Sequence, residues 1–471
     1  MGRDLGASSG VGVGRKFTRG QVLRMGGALA AGSVAAPWLA GCGGGGGDLS
    51  GSEITIAAVN NPQMEDMQSL ADDFKKKTGI TARFQFLPEN DLRQKVTQDV
   101  SLNAGNFDIV MVGAYETPIW AQSQWLEPLN PFFDEMSQKE SNTYDLEDVL
   151  PTWRTALSYE DQLYSLPFYG ESSCLFYRKD LFEEAGLKMP MRPTYEEVTN
   201  FARELNDPES GVSGIAQRGL PGWGANMANI MIMINTFGGR WYDMDWRPQL
   251  TTPEVKAALE QHTELATKYA QSGINSDNFP ECLTLFSSGK AAMWSDATVA
   301  GGLVSDPKES EVADNVGFAY APTAVTPNGS HWLWAWSLGI EAASKNKEAA
   351  FEFLKWATSK DYIKLVGEEL GYNRVPPGTR NSTYDTPYGE NPWTEVELTS
   401  IETADLDNPT RDPVPYKGIQ YIPIPEWQQL GDAVGRLSAS VVTGDLTIDE
   451  MQQRAQDEAL KVAKQGKYLK S

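Results

Sequence analysis

Short apolar runs that alternate with amphipathic segments restrict the possible folds of this chain sharply. The runs are β-branched and apolar, as is typical of strands buried in a parallel sheet: ITIAAV (54–59), ITARFQFL (80–87) and FDIVMVG (107–113). Between them, apolar residues recur at helical spacing. Gly79 is expected to end the first helix, and Asn90 or Asp91 to cap the second. The order strand–helix–strand–helix–strand predicts a parallel α/β lobe.

Polar side chains stand where the first and third predicted strands end. Asn60 and Asn61 follow the first strand, and Tyr115 and Glu116 follow the third. In open α/β sheets ligands bind at the carboxyl ends of the strands, so these residues are candidates for ligand contact. The alternative is that the asparagines only form turns and cap helices, which is their commoner role.

The α/β pattern returns from about residue 170 and again from residue 337, and the chain ends in two predicted helices with a Gly-Asp turn between them. The chain has 471 residues, whereas a single core stops growing at roughly 250–300 residues. We therefore expect at least two packed domains.

The first 42 residues have the features of an export signal. Basic residues precede an Ala/Gly-rich apolar stretch that ends in LAGC (39–42). LAGC is similar to the bacterial lipobox, in which the cysteine carries the lipid, so Cys42 is the predicted lipidation site. Residues 43–52 are predicted to be a Gly-rich tether. The sequence thus predicts a protein held at the outer face of the cytoplasmic membrane by its lipid; TRGQVLR has Gly20 where a twin-arginine signal has arginine, which leaves the export route open.

Composition excludes several classes of function. The formal net charge of −23 argues against a nucleic-acid partner, since a phosphate backbone requires a basic face. His262 and His331 are the only histidines, so catalysis by imidazole is nearly excluded. His262 is predicted to be a solvated helix residue and His331 to have a packing or surface role. No zinc-ligand spacing is present, and we predict no metal and no cofactor.

The run HWLWAW (331–336) places three tryptophans at alternate positions. In an extended strand Trp332, Trp334 and Trp336 share one face. That face is either a buried core stripe or an aromatic floor beneath a ligand.

Two cysteines, Cys174 and Cys282, remain beyond the signal. We interpret them as small buried hydrophobes, although a disulfide between them is permitted outside the cytoplasm.

Several motifs together resemble one protein family: PFYGESS, RGLPGWGANMA, NTFGGRW, MWSDATVA, WLWAWSLGI and NRVPPGTR. Over residues 53–465 the chain is similar to the extracellular solute-binding proteins of carbohydrate ABC transporters, the group that includes maltose-binding protein, and within it to the sorbitol/mannitol (polyol) binding proteins. The resemblance implies an α/β, two-lobed periplasmic-binding-protein fold (a Venus flytrap) with multiple lobe crossings. The implied lobes are 53–168 plus 337–385, and 169–336 plus 386–465.

The resemblance also implies a function and a set of ligand-binding residues. The expected protein is a monomer that captures a polyol or related sugar between its lobes and delivers it to a transporter permease. Glu171 matches a position where maltose-binding relatives place a ligand-contacting glutamate; its alternative is a surface turn. Trp332 or Trp334 is expected to form the floor beneath the ligand and Trp336 to be packing. The remaining implied contacts are Tyr169, Arg218, Trp223, Asn235, Trp294, Asp296 and Arg374.

The sequence alone leaves alternatives to several of these roles. Asp296 is an equally good helix cap, and Arg218 with Trp223 could form a rigid surface turn. A glycoside hydrolase needs only two carboxylates, and Glu171 with Asp296 is the imaginable pair. A sensory co-receptor with the same fold and cleft is a third possibility. We predict a binding protein and not an enzyme.

Overall fold

The computed structural model describes residues 49–470, so the predicted signal, Cys42 and residues 43–48 of the tether lie outside the described residues. Its strands, in chain order, are β1 (Glu53–Val59), β2 (Thr81–Leu87), β3 (Ile109–Gly113), β4 (Ser158–Tyr159), β5 (Gln162–Leu163), β6 (Ser165–Glu171), β7 (Ser173–Arg178), β8 (Met293–Ala297), β9 (Val316–Tyr320) and β10 (Trp334–Ile340).

Most of the remaining chain is helical. The α-helices are α1 (Pro62–Thr78), α2 (Glu89–Leu102), α3 (Glu116–Gln122), α4 (Asn130–Glu135), α5 (Gln138–Tyr144), α6 (Pro151–Ala156), α7 (Lys179–Glu184), α8 (Tyr195–Leu205), α9 (Asn226–Thr236), α10 (Pro253–Lys268), α11 (Phe279–Ser287), α12 (Ala300–Val304), α13 (Lys347–Ala357), α14 (Lys360–Glu369), α15 (Thr394–Thr403), α16 (Trp427–Val442) and α17 (Ile448–Gln465). Within residues 49–470, none of these helices combines the length and apolar composition needed to cross a bilayer.

The first sheet has five strands in the order β2-β1-β3-β10-β6. β1 is parallel to β2 and β3, which confirms the predicted α/β lobe, while β10 is antiparallel to both β3 and β6. The helix ends follow local chemistry. Asn61 accepts a hydrogen bond from the Met64 amide and so caps α1, and Gly79 ends that helix at φ 75°.

The predicted cap of α2 is wrong. The helix begins at Glu89, one residue before Asn90, with Pro88 at the capping position and no side-chain cap. Proline has a φ that suits a helix start, which explains why the helix begins earlier than the asparagine.

The second sheet is antiparallel, in the order β8-β7-β9. The chain passes from the first sheet to the second at Ser172, between β6 and β7, and returns ahead of β10. The Ser172 hydroxyl donates to the Trp332 carbonyl at 2.7 Å and the Ser173 hydroxyl to the Ser330 carbonyl at 2.9 Å, so the outgoing and returning segments lie side by side. The predicted boundaries at 168/169 and 336/337 therefore fall inside β6 and β10, because strand pairing continues past them.

His262 is buried and not solvated as predicted. It lies on α10 with 3% of its surface exposed, and burial lowers its pKa to about 4. His331 packs against the Tyr320 ring with centroids 5.7 Å apart, and burial lowers its pKa to about 4 as well. Cys174 and Cys282 are both buried and free, in agreement with their interpretation as small hydrophobes.

The buried histidines predict acid sensitivity of the fold. The unfolded chain takes up a proton at each histidine below about pH 6.5, whereas the folded chain keeps both neutral down to about pH 4. Stability is thus present above pH 6.5 and lost as the pH falls. From pH 7 to pH 5 we expect the free energy of unfolding in urea to fall by about 2 kcal/mol per histidine. His262→Leu should lessen that fall by about the contribution of one histidine; an unchanged pH dependence would contradict this assignment.

Candidate ligand-binding site

A cavity of about 340 Å³ lies where β6, β10 and the crossing segments meet. Ligand pockets in proteins typically measure roughly 300–1,000 Å³, so this one suits a small molecule. Its walls are contributed by residues far apart in the chain: Val59, Asn60, Asn61, Pro88, Glu89, Asn90, Arg93, Tyr169, Glu171, Arg218, Leu220, Trp223, Gly224, Ala228, Asn278, Phe279, Pro280, Glu281, Val299, Trp332, Trp334, Trp336 and Gln420.

Strand pairing brings two tryptophans, a tyrosine and a glutamate to one face. Trp334 pairs with Glu171, and Trp336 with Tyr169, across the antiparallel β10–β6 ladder. Directly opposed residues share a face and lie about 4.5–5.5 Å apart at Cβ. Because side chains alternate between the two faces of each strand, these four side chains all lie on the face that lines the cavity.

The tryptophan run is split between strand and crossing segment. Only Trp334 and Trp336 belong to β10, while Trp332 lies in the segment ahead of it, so the three do not form one strand face. All three nevertheless line the cavity. Trp336, predicted to be packing, thus shares the cavity wall with the others, because the strand brings it to the same face as Trp334.

Arg93 lies among three indoles. Its guanidinium carbon is 4.2 Å from the ring centroid of Trp223, 4.7 Å from that of Trp336 and 5.2 Å from that of Trp334. The guanidinium also donates to Glu89 at 2.9 Å and forms a close ion pair with Glu116. Cation–π contacts of this kind contribute about 0.5–2 kcal/mol each when desolvated.

Glu116 does not line the cavity but holds Arg93 in it. The carboxyl is buried, and this burial raises its pKa while the Arg93 charge opposes the increase. Tyr115 is also outside the cavity wall: its hydroxyl donates to the Ile424 carbonyl at 2.8 Å, and its ring packs edge-on against Trp223 at 4.9 Å. Both residues were predicted to contact ligand; the structure places them behind Arg93 and Trp223.

Arg218 is held by a buried carboxylate in the same way. Its Nε lies 2.9 Å from Asp296 Oδ2, a terminal nitrogen closes a second bond to the carboxylate, and another donates to the Gly224 carbonyl at 3.1 Å. Asp296 is fully buried and also accepts from the Trp294 indole at 3.0 Å. Asp296 and Trp294 therefore lie outside the cavity, contrary to prediction, and Asp296 orients a side chain that lines it.

Glu171 stands in contrast to these paired acids. Its carboxyl is 7% exposed, lines the cavity, and has no hydrogen bond or ion pair to any residue of 49–470. Burial raises its pKa well above the ordinary value, with Arg218 opposing and Asp296 adding to the shift. A buried polar group normally has a partner, so this carboxyl has hydrogen-bonding capacity that a bound molecule could satisfy.

Amides and a phenol complete the polar lining. Asn61 donates to the Tyr169 hydroxyl at 3.0 Å while its oxygen caps α1, so the capping role and the cavity position coexist. Asn60 lines the cavity with an exposed side chain. The buried indole N–H groups of Trp223 and Trp332 have no acceptor within the described residues.

Asn235 and Arg374 lie away from the cavity, contrary to prediction. The Asn235 amide donates to the Ile419 carbonyl at 2.9 Å. Arg374 pairs with Asp66 of α1 at 2.8 Å and with Glu309 at 3.3 Å, which joins segments beside the two sheets. Both are satisfied by the protein, which accounts for their polar side chains without a ligand.

Sequence reasoning missed Arg93, Glu89 and Gln420. Arg93 and Glu89 belong to α2, and charged helix residues usually face solvent, whereas Arg93 is buried here. Their spacing of four residues on one helix face was the available signal. Gln420 exchanges hydrogen bonds with the Leu333 backbone, a contact between segments that no local pattern shows.

Gly113, the last residue of β3, should be sensitive to substitution. A Cβ there would overlap the Trp334 ring and the Glu116 carboxyl. We expect Gly113→Ala to destabilise the fold by about 1–3 kcal/mol, because overpacking forces neighbours to move, and to weaken binding at the cavity by displacing Trp334. Gly339→Ala is the control, since its nearest neighbour is the flexible Leu126 side chain at 3.2 Å. Equal effects of both variants on affinity would contradict this placement of Trp334.

Comparison with known proteins agrees with this architecture. The chain is 43% identical to a mannitol-binding protein of Pseudomonas aeruginosa, over 94% of this chain and 98% of the relative. It is 26% identical to an erythritol/L-threitol-binding protein of Mycolicibacterium smegmatis, over 80% of this chain and 84% of that one. These relatives are substrate-binding proteins.

A solved structure shows the same fold. The ABC transporter solute-binding protein of Agrobacterium vitis S4, crystallised with bound D-mannitol, superposes with a TM-score of 0.86 at 45% identity, covering 89% of this chain and all of that one. Its family has two lobes about a cleft, as the two sheets here indicate. Residues 58–364 match the model of one family. The chain belongs to the bacterial extracellular solute-binding proteins, the maltose-binding-protein-like receptors of sugar ABC transporters.

Proposed function

We propose that this protein captures a polyol, such as mannitol or sorbitol, in the cavity and delivers it unchanged to the permease of an ABC transporter. The observation that carries the proposal is the buried Glu171 carboxyl, which faces a cavity beside indole rings and has no partner among the described residues. Relatives that match nearly the whole chain bind mannitol by name or with the ligand present, which supports the same ligand class.

The lining suits a molecule with many hydroxyl groups. Each hydroxyl both donates and accepts, so it can donate to Glu171 and accept from the free N–H groups of Arg218 or the Trp332 indole. Hydrogen bonds to charged partners contribute about 1.5–3 kcal/mol each. The C–H surface of a polyol packs against flat indoles, which bury large areas at low entropic cost.

The remaining parts of the proposal concern attachment and partners. We propose that Cys42 carries the lipid, that residues 43–52 are a tether and that the receptor is a monomer. We propose the lobes 53–168 plus 337–385 and 169–336 plus 386–465, with the crossings between them moved to residues 172 and 333, where β6 ends and β10 begins. Catalysis is not proposed: Asp296, the imagined second carboxylate of a hydrolase, is bound by Arg218 and lies outside the cavity.

Calorimetric titration tests the proposal. The chain without its signal is titrated with D-mannitol, D-sorbitol and ribitol, and with mannose and glucose as parent sugars. We expect saturable binding of at least one hexitol, tighter than that of its parent sugar, and recovery of the ligand unchanged. Binding of no polyol, or conversion of the polyol during incubation, would overturn the proposal.

A further inference from the structure

The two cations of the cavity wall are already matched by acids. Among the described residues that line the cavity, Arg93 and Arg218 are the only cationic ones. Arg93 contacts Glu89 and Glu116, and Arg218 contacts Asp296. Neither guanidinium therefore offers an uncompensated positive charge, although each keeps N–H groups that can donate to a neutral hydroxyl.

The acids of the wall are not all matched in return. Glu171 has no cationic partner in ion-pair contact within residues 49–470, and it is buried against the cavity. Glu281 also lines the cavity without an ion pair, but its side chain is exposed and accepts from the Asn278 amide at the start of α11. The acid in the desolvated part of the site that lacks a cationic partner is therefore Glu171, and burial raises the pKa of its carboxyl, which favours the neutral form while the site is empty.

We propose that Glu171 makes this site selective for ligand charge, so that it favours a polyol with a protonated amine over the neutral polyol and rejects the corresponding sugar acid. This inference rests on the proposed function and extends the ligand class to amino-polyols. The site residue that determines the selectivity is Glu171, whose carboxyl would pair with the ammonium group.

Each part of the selectivity has a physical cause. An ammonium group beside Glu171 lowers the pKa of that carboxyl and favours its ionised form, so a neutral hydroxyl donor is replaced by a charge-assisted one to a group already removed from water. A sugar acid instead brings an anion into a site of low dielectric, where both guanidiniums that could offset it are already paired.

A matched ligand series tests the inference: D-mannitol, 1-amino-1-deoxy-D-mannitol and D-mannonate differ only in the group at one end. By calorimetry at pH 7 we expect the amine to bind about tenfold more tightly than mannitol, since a charge-assisted hydrogen bond is about twice as strong as a neutral one. Mannonate should bind at least about tenfold more weakly than mannitol, because its carboxylate loses water in a site where both guanidiniums are already paired with acids.

Substitution assigns the effect to one side chain. Glu171→Gln should bring the amine and mannitol to within about twofold of each other, because the amide keeps the shape and loses the charge. Glu183→Gln removes an exposed charge outside the cavity and should leave the tenfold preference intact. If mannitol binds and the amine binds equally or more weakly, charge selectivity is refuted while polyol binding stands. If no member of the series binds, the proposed function itself fails.

Discussion

Glu171→Ala is expected to weaken the binding of a polyol by more than tenfold while the chain stays folded. The carboxyl lines the cavity and has no partner within the described residues, so both of its oxygens are available to ligand hydroxyls. Burial raises its pKa, and a hydrogen bond to the neutral carboxyl contributes about 0.5–1.5 kcal/mol, one to the ionised carboxyl about 1.5–3 kcal/mol. Two such bonds, one at each oxygen, correspond to a factor of about ten or more in affinity. The measurement is calorimetric titration with D-mannitol.

The stability of the same variant separates binding from folding. Removing a buried carboxyl that lacks a partner also removes its desolvation penalty, so the free energy of unfolding in urea should not fall by more than about 1 kcal/mol. Glu183→Ala, an exposed acid on α7, is the matched control and should leave affinity unchanged. Wild-type affinity in Glu171→Ala would remove Glu171 from the proposed site.

Asp296→Ala is expected to have the largest effect on stability. Asp296 is fully buried and its carboxylate binds the buried Arg218 through two guanidinium nitrogens. Deleting one partner of a buried pair leaves an uncompensated charge and costs about 3–5 kcal/mol. Trp294 loses its acceptor in the same variant, and Arg218 loses the group that aims it at the cavity, so polyol affinity should also fall.

Urea unfolding and titration together check this prediction. Asp180→Ala removes the partner of Arg178 in a partly exposed pair, and its loss should not exceed about 1 kcal/mol. If Asp296→Ala does not fold, Asp296→Asn retains an acceptor for the Trp294 indole and should give an intermediate loss in both measurements. A loss below about 1 kcal/mol for Asp296→Ala would show that Arg218 does not depend on this carboxylate.

The elements that local pattern controls were predictable from the sequence. The first three strands are recognisable as short apolar, β-branched runs and α1 by its helical period of 3.6, and the structure has a strand or helix at each of these positions to within a few residues. The cap of α2 was not predictable in the same way, because Pro88 competes with Asn90 for the helix start. The predicted lobe boundaries differ from the strand ends in the structure because β6 and β10, which are distant in sequence, pair with each other, and this pairing determines how far each strand extends.

Some residues of the site were predictable from the sequence, whereas others depend on contacts between distant segments. Glu171 and Tyr169 were named as ligand contacts through the family resemblance, and the tryptophans were noticed through their alternate spacing; the structure places all of them on the cavity wall. Glu116 and Asp296 were predicted to contact ligand, whereas the structure pairs them with Arg93 and Arg218, because a sequence shows a carboxylate after a strand and not the cation that it contacts. Arg93 was missed because its partners come from β10 and from the loop before α9.

We propose that the cavity holds an intact polyol against Glu171 and the indoles. A crystal structure of the chain grown with D-mannitol would show this ligand directly. We expect density for one unaltered mannitol within hydrogen-bonding distance of the Glu171 carboxyl and in contact with Trp332 or Trp334. Mannitol bound elsewhere, or a cavity that stays free of ligand at saturating mannitol, would contradict it.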